Sequence, residues 1–190
     1  MKEYVNAAFG TELFKKAFGD DQVDPDRMTE AIAVFEKTIV SRKSRFDEFL
    51  EGNKKALSNS ELRGLHIFRT KAKCMNCHSG PLFTDNSFHN VGFSSNDEGH
   101  YKVSHKEEDT GKFKTPSLRD VMKTGPWMHD GNETDMAAII EHFNTGSQSP
   151  GVSSLVRPLK LTAREKADLQ AFLHAISAPP ADFQKPVLPE

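Results

Sequence analysis

Five consecutive residues, Cys74-Met75-Asn76-Cys77-His78, constrain this chain more than any other stretch. C-x-x-C-H is the attachment sequence of c-type haem. Two thiols separated by two residues sit on one short turn, at the separation of the porphyrin vinyl groups to which they add as thioethers. His78 follows directly, so its imidazole is placed to bind iron from the proximal side. Other uses of these residues fit poorly. A zinc site takes four ligands and usually a second Cys/His pair, whereas Cys74 and Cys77 are the only cysteines. A thioredoxin-like motif follows a strand in a βαβ setting, and no strand–helix alternation surrounds this one. A Cys74–Cys77 disulfide would close a very small, strained loop. The motif therefore predicts one covalent haem c.

The remaining composition is that of an ordinary folded chain. A length of 190 residues fits one domain, or one domain with extensions. A hydrophobic content of 36% allows a modest core, which a haem would enlarge. A net charge of −2 gives no reason to expect nucleic acid as a partner. No apolar run is long enough to span a bilayer. Met1-Lys2-Glu3-Tyr4 leads into no apolar signal segment. Haem attachment of this type follows export, so the expectation is a mature form or a fragment of a periplasmic protein.

The pattern reads as helices and loops. Residues 11–18 carry Leu13, Phe14 and Phe18 at helical spacing. Asp24-Pro25 opens a helix as N-cap and first residue, with a stripe of Met28, Ile32, Phe35 and Ile39. The charged stretch 42–57 has Phe46 and Phe49 as anchors. Ser58-Asn59-Ser60-Glu61 is a capping box for a helix with Leu62, Leu65 and Phe68. Residues 79–118 form a long loop region. Thr134 caps a helix running through Phe143, closed by Gly146. Thr162-Ala163-Arg164-Glu165 is a second capping box, before Leu169, Phe172, Leu173 and Ile176. A proline-rich tail begins at Pro179. The helix containing Gly64, just before the haem motif, and the last helix, containing Phe172, fit the frame of a class I cytochrome c. Gly64 lets another helix cross closely, and Phe172 fills the adjoining space. The expected fold is thus mostly α. An N-terminal helical extension or interdomain segment covers 1–57, a cytochrome c-like haem domain with long loops 58–178, and the tail 179–190.

Several further segments carry a family resemblance. Leu82-Phe83-Thr84-Asp85, Phe88-His89-Asn90, Phe113-Lys114-Thr115-Pro116-Ser117-Leu118-Arg119 and Gly125-Pro126-Trp127-Met128-His129-Asp130-Gly131 follow one another in the family's order. Together they resemble the bacterial di-haem cytochrome c peroxidases and the related methylamine-utilisation di-haem enzymes. The resemblance runs from about residue 10 to about 178, and it is to the carboxy-terminal half. Family members carry two C-x-x-C-H motifs, one per domain, and this chain carries one. The resemblance implies the electron-transfer half of an enzyme that reduces hydrogen peroxide. Its partners would be a second haem domain or chain and a donor such as a small cytochrome or copper protein. The alternatives are a stand-alone monohaem electron carrier and an open-iron haem sensor or gas-binding module.

The resemblance also implies a distal Met or Tyr ligand twelve residues after the glycine of His-Asp-Gly. Counting from Gly131 reaches Phe143, which has no atom able to bind iron. Met128, Met136 and His142 are left as candidate distal ligands, beside an open or water-bound iron. On an open iron, a distal acid/base would aid peroxide cleavage, and His129 and His142 are the candidates, with Asp130 and Glu141 nearby in sequence. For His129 a hydrogen bond within the Trp127–Gly131 turn is the alternative. Arg119 is a candidate partner for a haem propionate, or an ordinary surface charge. Trp127 is either a stepping stone between redox centres or a core aromatic. Thr124-Gly125-Pro126 matches the family's calcium segment, where backbone carbonyls of Thr124 and Pro126 would contribute oxygen ligands. Lys71, Lys73, Lys112 and Lys114 either steer an acidic partner or form a solvated surface. His66 falls within the Leu62–Phe68 helix as a structural residue, His89, His100 and His105 lie in loop sequence with no metal-ligand spacing, and His174 is a surface residue of the last helix.

Overall fold

Helix boundaries follow the capping chemistry written in the sequence. The computed structural model describes residues 12–93 and 96–179. The described residues divide into two compact units, 12–40 and 41–179. Residues 41–57, grouped by sequence with the extension, lie in the second unit. Residue 11 and the tail beyond Pro179 fall outside the described residues.

In the first unit, residues 12–18 form helix α1 and Pro25–Glu36 form α2. Asp24 caps α2 by accepting from the Arg27 amide at 2.9 Å. Arg27 pairs with Asp20 and lies over the Phe18 ring, 5.6 Å from its centre. The expected apolar stripe of α2 is there, but no residue of the helix is buried, and Ile32 and Phe35 are about half exposed. Ile39 lies beyond the helix end. Periodicity reports a face that can be buried and says nothing of what covers it.

In the second unit, Ser44 and Asp47 form a capping box for a short helix α3, Arg45–Leu50, which buries Phe46. Ser58 and Glu61 form another for α4, Asn59–Arg69. Thr162 and Glu165 form the third, for α7, Ala163–Ala175. Between them the expected loop carries a small antiparallel pair, β1 (Phe88–His89) and β2 (Phe113–Lys114), with Phe88 opposite Lys114 and His89 opposite Phe113. A one-turn helix α5, Tyr101–Ser104, lies in the same stretch. Elements of two to four residues are too short for periodicity to reveal. Helix α6 is Met136–Thr145, and its cap is Asp135 instead of Thr134. The Asp135 carboxylate accepts from the Ala137 amide at 2.9 Å.

The crossing of α4 and α7 organises the core. Gly64 lies against the α7 backbone so closely that a Cβ there would sit 1.9 Å from the Asp168 carbonyl oxygen. Phe172, fully buried, meets Phe68 at 5.2 Å between ring centres and Phe46 edge-on at 5.4 Å. Phe83 joins both Phe46 and Phe68. These offset and edge-to-face contacts suit the ring quadrupoles.

Beside the crossing, the buried Asp168 carboxylate accepts from Arg63 at 2.7 and 2.8 Å, and from Ser60. Hydrogen bonds from Arg63 and Ser60 hold its pKa at about 2. Because the folded value is depressed, this contribution is complete above the unfolded value of about 3.9 and fades as pH falls through that range toward 2. Asp168→Ala is expected to cost about 2 kcal/mol at neutral pH, as for hydrogen bonds to a charged group. Denaturant titrations at neutral pH and near pH 3 check it: equal losses at the two values would refute the assignment.

Candidate haem site

Helix α4 ends at Arg69, capped by Thr70, and the chain then turns through Lys73, whose backbone is left-handed (φ 55°), into a 3-10 turn at Cys74–Asn76. The His78 amide donates to the Cys74 carbonyl at 2.8 Å. This tight turn presents Cys74, Cys77 and His78 to one cavity of about 430 Å³, within the roughly 300–1,000 Å³ typical of cofactor and ligand sites. Its walls are mostly hydrocarbon: Phe68 and Ala72 from the α4 side, Leu118 and Val121, Ile139, Ile140 and Phe143 of α6, and Leu169 and Leu173 of α7.

The His78 Nδ1 lies 2.9 Å from the Phe83 carbonyl oxygen. A carbonyl only accepts, so Nδ1 carries the proton and Nε2 keeps its lone pair, the tautomer an Nε2 metal ligand requires. Burial lowers the His78 pKa, outweighing the Phe83 and Pro116 backbones and Asp85, and favours the neutral ring. Burial likewise pushes the Cys74 thiol up to about 12 and raises Cys77. The residues present therefore fit a haem c: two neutral thiols one turn apart, a neutral imidazole whose Nδ1 proton is held by Phe83, and an apolar enclosure.

Sequence missed the support around Cys77. One ligand atom each from Cys77, Asp85 and His89 lie within 4.8 Å of one another. His89 Nε2 sits 2.9 Å from the Asp85 carboxylate, and the Asp85 amide donates to the Cys77 carbonyl at 2.7 Å. Burial tends to raise the Asp85 pKa, but hydrogen bonds from His89, Ser87 and Thr115 hold it at about 2. The available signal was the four-residue Asp85–His89 spacing, which has meaning only once β1 and β2 pair.

The other sequence candidates divide. Met128, His129, Met136, Phe143, Thr124 and Pro126 all line the cavity. Met136 is buried within the hydrophobic core. Met128 has a left-handed backbone (φ 67°), uncommon for a non-glycine residue. His129 stacks on Phe113 with ring centres 3.6 Å apart and lies 3.4 Å from the Asp97 carboxylate. His142 does not line the cavity; its Nε2 is 2.8 Å from the Val91 carbonyl and its ring packs on Phe93 at 3.7 Å. Arg119 is also outside the lining. It donates to Asp47 at 2.6 Å and to the Pro81 carbonyl at 2.9 Å, fixing the α3 segment to the loop below the motif. Trp127 packs against the core and donates from Nε1 to the Val121 carbonyl at 2.7 Å.

A mostly helical unit, with C-x-x-C-H at the mouth of an apolar cavity and two helices crossing behind it, defines a cytochrome c-like haem domain. Comparison with known proteins carries this further. The family model described as di-haem cytochrome c peroxidase matches residues 3–55. Methylamine utilization protein MauG of Methylophilus methylotrophus is 39% identical over 183 residues, covering 94% of this chain and 55% of that protein. Cytochrome c551 peroxidase of Nitrosomonas europaea is 36% identical, covering 94% of this chain and 52% of that protein. A crystal structure of a MauG-like protein associated with microbial copper homeostasis superposes with a TM-score of 0.74 at 27% identity, over 87% of this chain and 61% of that one. Over most of its length the chain is similar to the di-haem cytochrome c peroxidases and MauG proteins, and it spans about half the length of the curated relatives it matches. Haem c is the cofactor that both the site and the family support.

Proposed function

We propose that this chain is the haem c-carrying, electron-transfer half of a di-haem peroxidase-like oxidoreductase that works on hydrogen peroxide in the periplasm. The observation that carries the reading is the convergence of Cys74, Cys77 and a correctly protonated His78 on one apolar cavity. Bound haem c would supply reversible one-electron chemistry. Cys74 and Cys77 would tether it, and His78 Nε2 would hold the iron with Phe83 fixing the ring. The apolar walls would exclude water. A single motif means one haem on this chain, so the second haem would lie on a further domain or chain. A donor protein, such as a small cytochrome or copper protein, would deliver electrons. Calcium enters the reading at Thr124 and Pro126. Their backbone carbonyls would be two of the six to eight oxygen ligands such an ion takes, the others coming from elsewhere. No helix among the described residues is long and apolar enough to cross a membrane.

A second reading, a single-haem carrier or small-ligand sensor, is favoured by Phe143. It lines the cavity without a donor atom, while His142 is tied to Val91. Met128 and Met136 remain the sulfur candidates for the distal position, and His129 is the acid/base candidate that borders the cavity.

The ultraviolet–visible spectrum of the protein, expressed with a haem-attachment system, tests the proposal. Haem c bands are expected. His78→Ala is expected to retain the thioethers but lose the histidine-ligated ferric spectrum completely. A wild-type protein without haem bands would sink the reading. A sulfur-to-iron charge-transfer band would select Met128 or Met136, and a high-spin ferric spectrum would select an open iron.

A further inference from the structure

Haem attachment uses only the sulfur of Cys77, yet the fold sets two further donors beside it. One ligand atom each from Cys77, Asp85 and His89 lie within 4.8 Å of one another, the one such group of three among the described residues. Separate contacts hold each member in place. The Asp85 amide donates to the Cys77 carbonyl at 2.7 Å, and the Asp85 Oδ1 accepts from the Ser87 amide at 2.9 Å. His89 stands on β1, opposite Phe113 of β2, and its Nε2 lies 2.9 Å from the Asp85 Oδ2. Cys77 and His89 also line the large cavity. The Asp85 and His89 side chains each keep 21% exposure, so an ion from solvent can reach them.

An Asp–His pair bracing a turn accounts for two of these groups and leaves the thiol beside them unexplained. A sulfur, an imidazole nitrogen and a carboxylate oxygen together are the donor set of zinc. Calcium and magnesium take oxygen ligands and do not suit it. Zinc–sulfur bonds of about 2.3 Å and zinc–nitrogen bonds of about 2.0 Å place the ligand atoms of a tetrahedral site roughly 3.5 Å apart. Small side-chain rotations bring a cluster already within 4.8 Å to that size. Three protein ligands leave the fourth position to water. A thiolate beside a carboxylate is repelled by it, and a divalent cation between the two replaces that repulsion with two attractions.

We propose that the chain, before haem is attached, binds one zinc ion through Cys77 Sγ, an Asp85 carboxylate oxygen and His89 Nε2, and that zinc and haem exclude each other because both need the Cys77 sulfur. The metal site stands on the cluster alone, and the exclusion rests on the haem c reading above. Zinc binding breaks the Cys77 S–H bond, releases the proton to solvent and forms an S–Zn bond, with no electron transferred. In haem attachment the S–Zn bond breaks and the sulfur regains a proton. The S–H then adds across a vinyl group, forming one S–C and one C–H bond. The thioether sulfur that results is neutral and a weak ligand for zinc, so the ion has no thiolate to return to.

The test uses the full chain in two forms, one expressed without a haem-attachment system and one haem-loaded. Each is stripped of metal under reducing conditions and titrated with cobalt, a coloured ion that takes tetrahedral zinc sites, and then with zinc. The haem-free chain is expected to bind one cobalt with a sulfur-to-metal charge-transfer band, which zinc abolishes by displacement. Cys77→Ser should remove the band. His89→Ala and Asp85→Ala should weaken binding by at least about tenfold, the least that even an outer contact of a metal site is worth. His174→Ala, exposed on α7, should bind as the wild type does. The haem-loaded chain should show no such band. Zinc added during haem attachment should lower the yield of haem-loaded chain, and His89→Ala should lose that sensitivity. A haem-free chain without the band, or a band that survives Cys77→Ser or is indifferent to His89→Ala, would overturn the metal site. Equal cobalt binding by the haem-loaded chain would overturn the exclusion. Failure of the haem reading would be seen separately, as a chain that gains no haem bands whether or not zinc is present.

Discussion

Gly64→Ala is expected to destabilise the haem-loaded protein by at least about 2 kcal/mol. In an open helix the same change would help by up to about 1 kcal/mol, since alanine is the better helix former. Here the added methyl would lie 1.9 Å from the Asp168 carbonyl oxygen and 2.8 Å from the Phe172 Cβ. Neither neighbour is the free end of a flexible side chain, so α7 must shift bodily. Overpacking of this kind costs about 1–3 kcal/mol and occasionally more, and the shift would also disturb the Arg63–Asp168 pair and the Phe46–Phe68–Phe172 contacts. The outcome is read from the denaturant midpoint. An unchanged or raised midpoint would show that the crossing is looser than described.

Replacing both anchors, Cys74→Ser with Cys77→Ser, is expected to abolish covalent haem, seen as loss of haem staining on a denaturing gel. The physical consequence extends to folding. An unfilled cavity of about 430 Å³, at about 24 cal/mol per Å³, corresponds to a penalty on the order of 10 kcal/mol if its walls stay in place. That is comparable with the whole stability of a typical domain. The walls will partly collapse instead, so the double variant is expected to lose its sharp cooperative unfolding transition as well as its haem. A variant that unfolds cooperatively at the wild-type midpoint would mean that haem is not part of the core.

The legible parts of the molecule were those specified by local rules. Three capping boxes, at Ser44, Ser58 and Thr162, mark helix starts, and the two that end in glutamate are picked out from the sequence. The role of Gly64 was readable because a glycine on an apolar helix face has few other uses. That Cys74, Cys77 and His78 share one cavity was legible because they form a contiguous motif on one turn. What escaped was whatever depends on distant pairing. Asp85 and His89 come together with Cys77 only through the turn after the motif and the strand pairing of His89 with Phe113. Arg119 had a chemically sensible anionic partner in prospect, but Asp47, far away in sequence, takes its guanidinium. His142 was a donor on the helix that forms one wall of the cavity, and the Val91 carbonyl draws it to another face. Caps shifted by one residue, as at Asp135, reflect competition between adjacent side chains that spacing does not resolve.

The α4–α7 crossing also sets an order of events in time. The bonds of Ser60 and Arg63 to Asp168 span 108 and 105 residues, so the core cannot close until α7 has docked on α4. Until then the haem-binding turn has no roof, and both thiols are reachable by whatever attaches the porphyrin. Once α7 docks, its Leu169 and Leu173 complete the wall of the cavity that Cys74 lines. Attachment thus has an interval with a definite end, and a substitution that speeds the docking of α7 would shorten it.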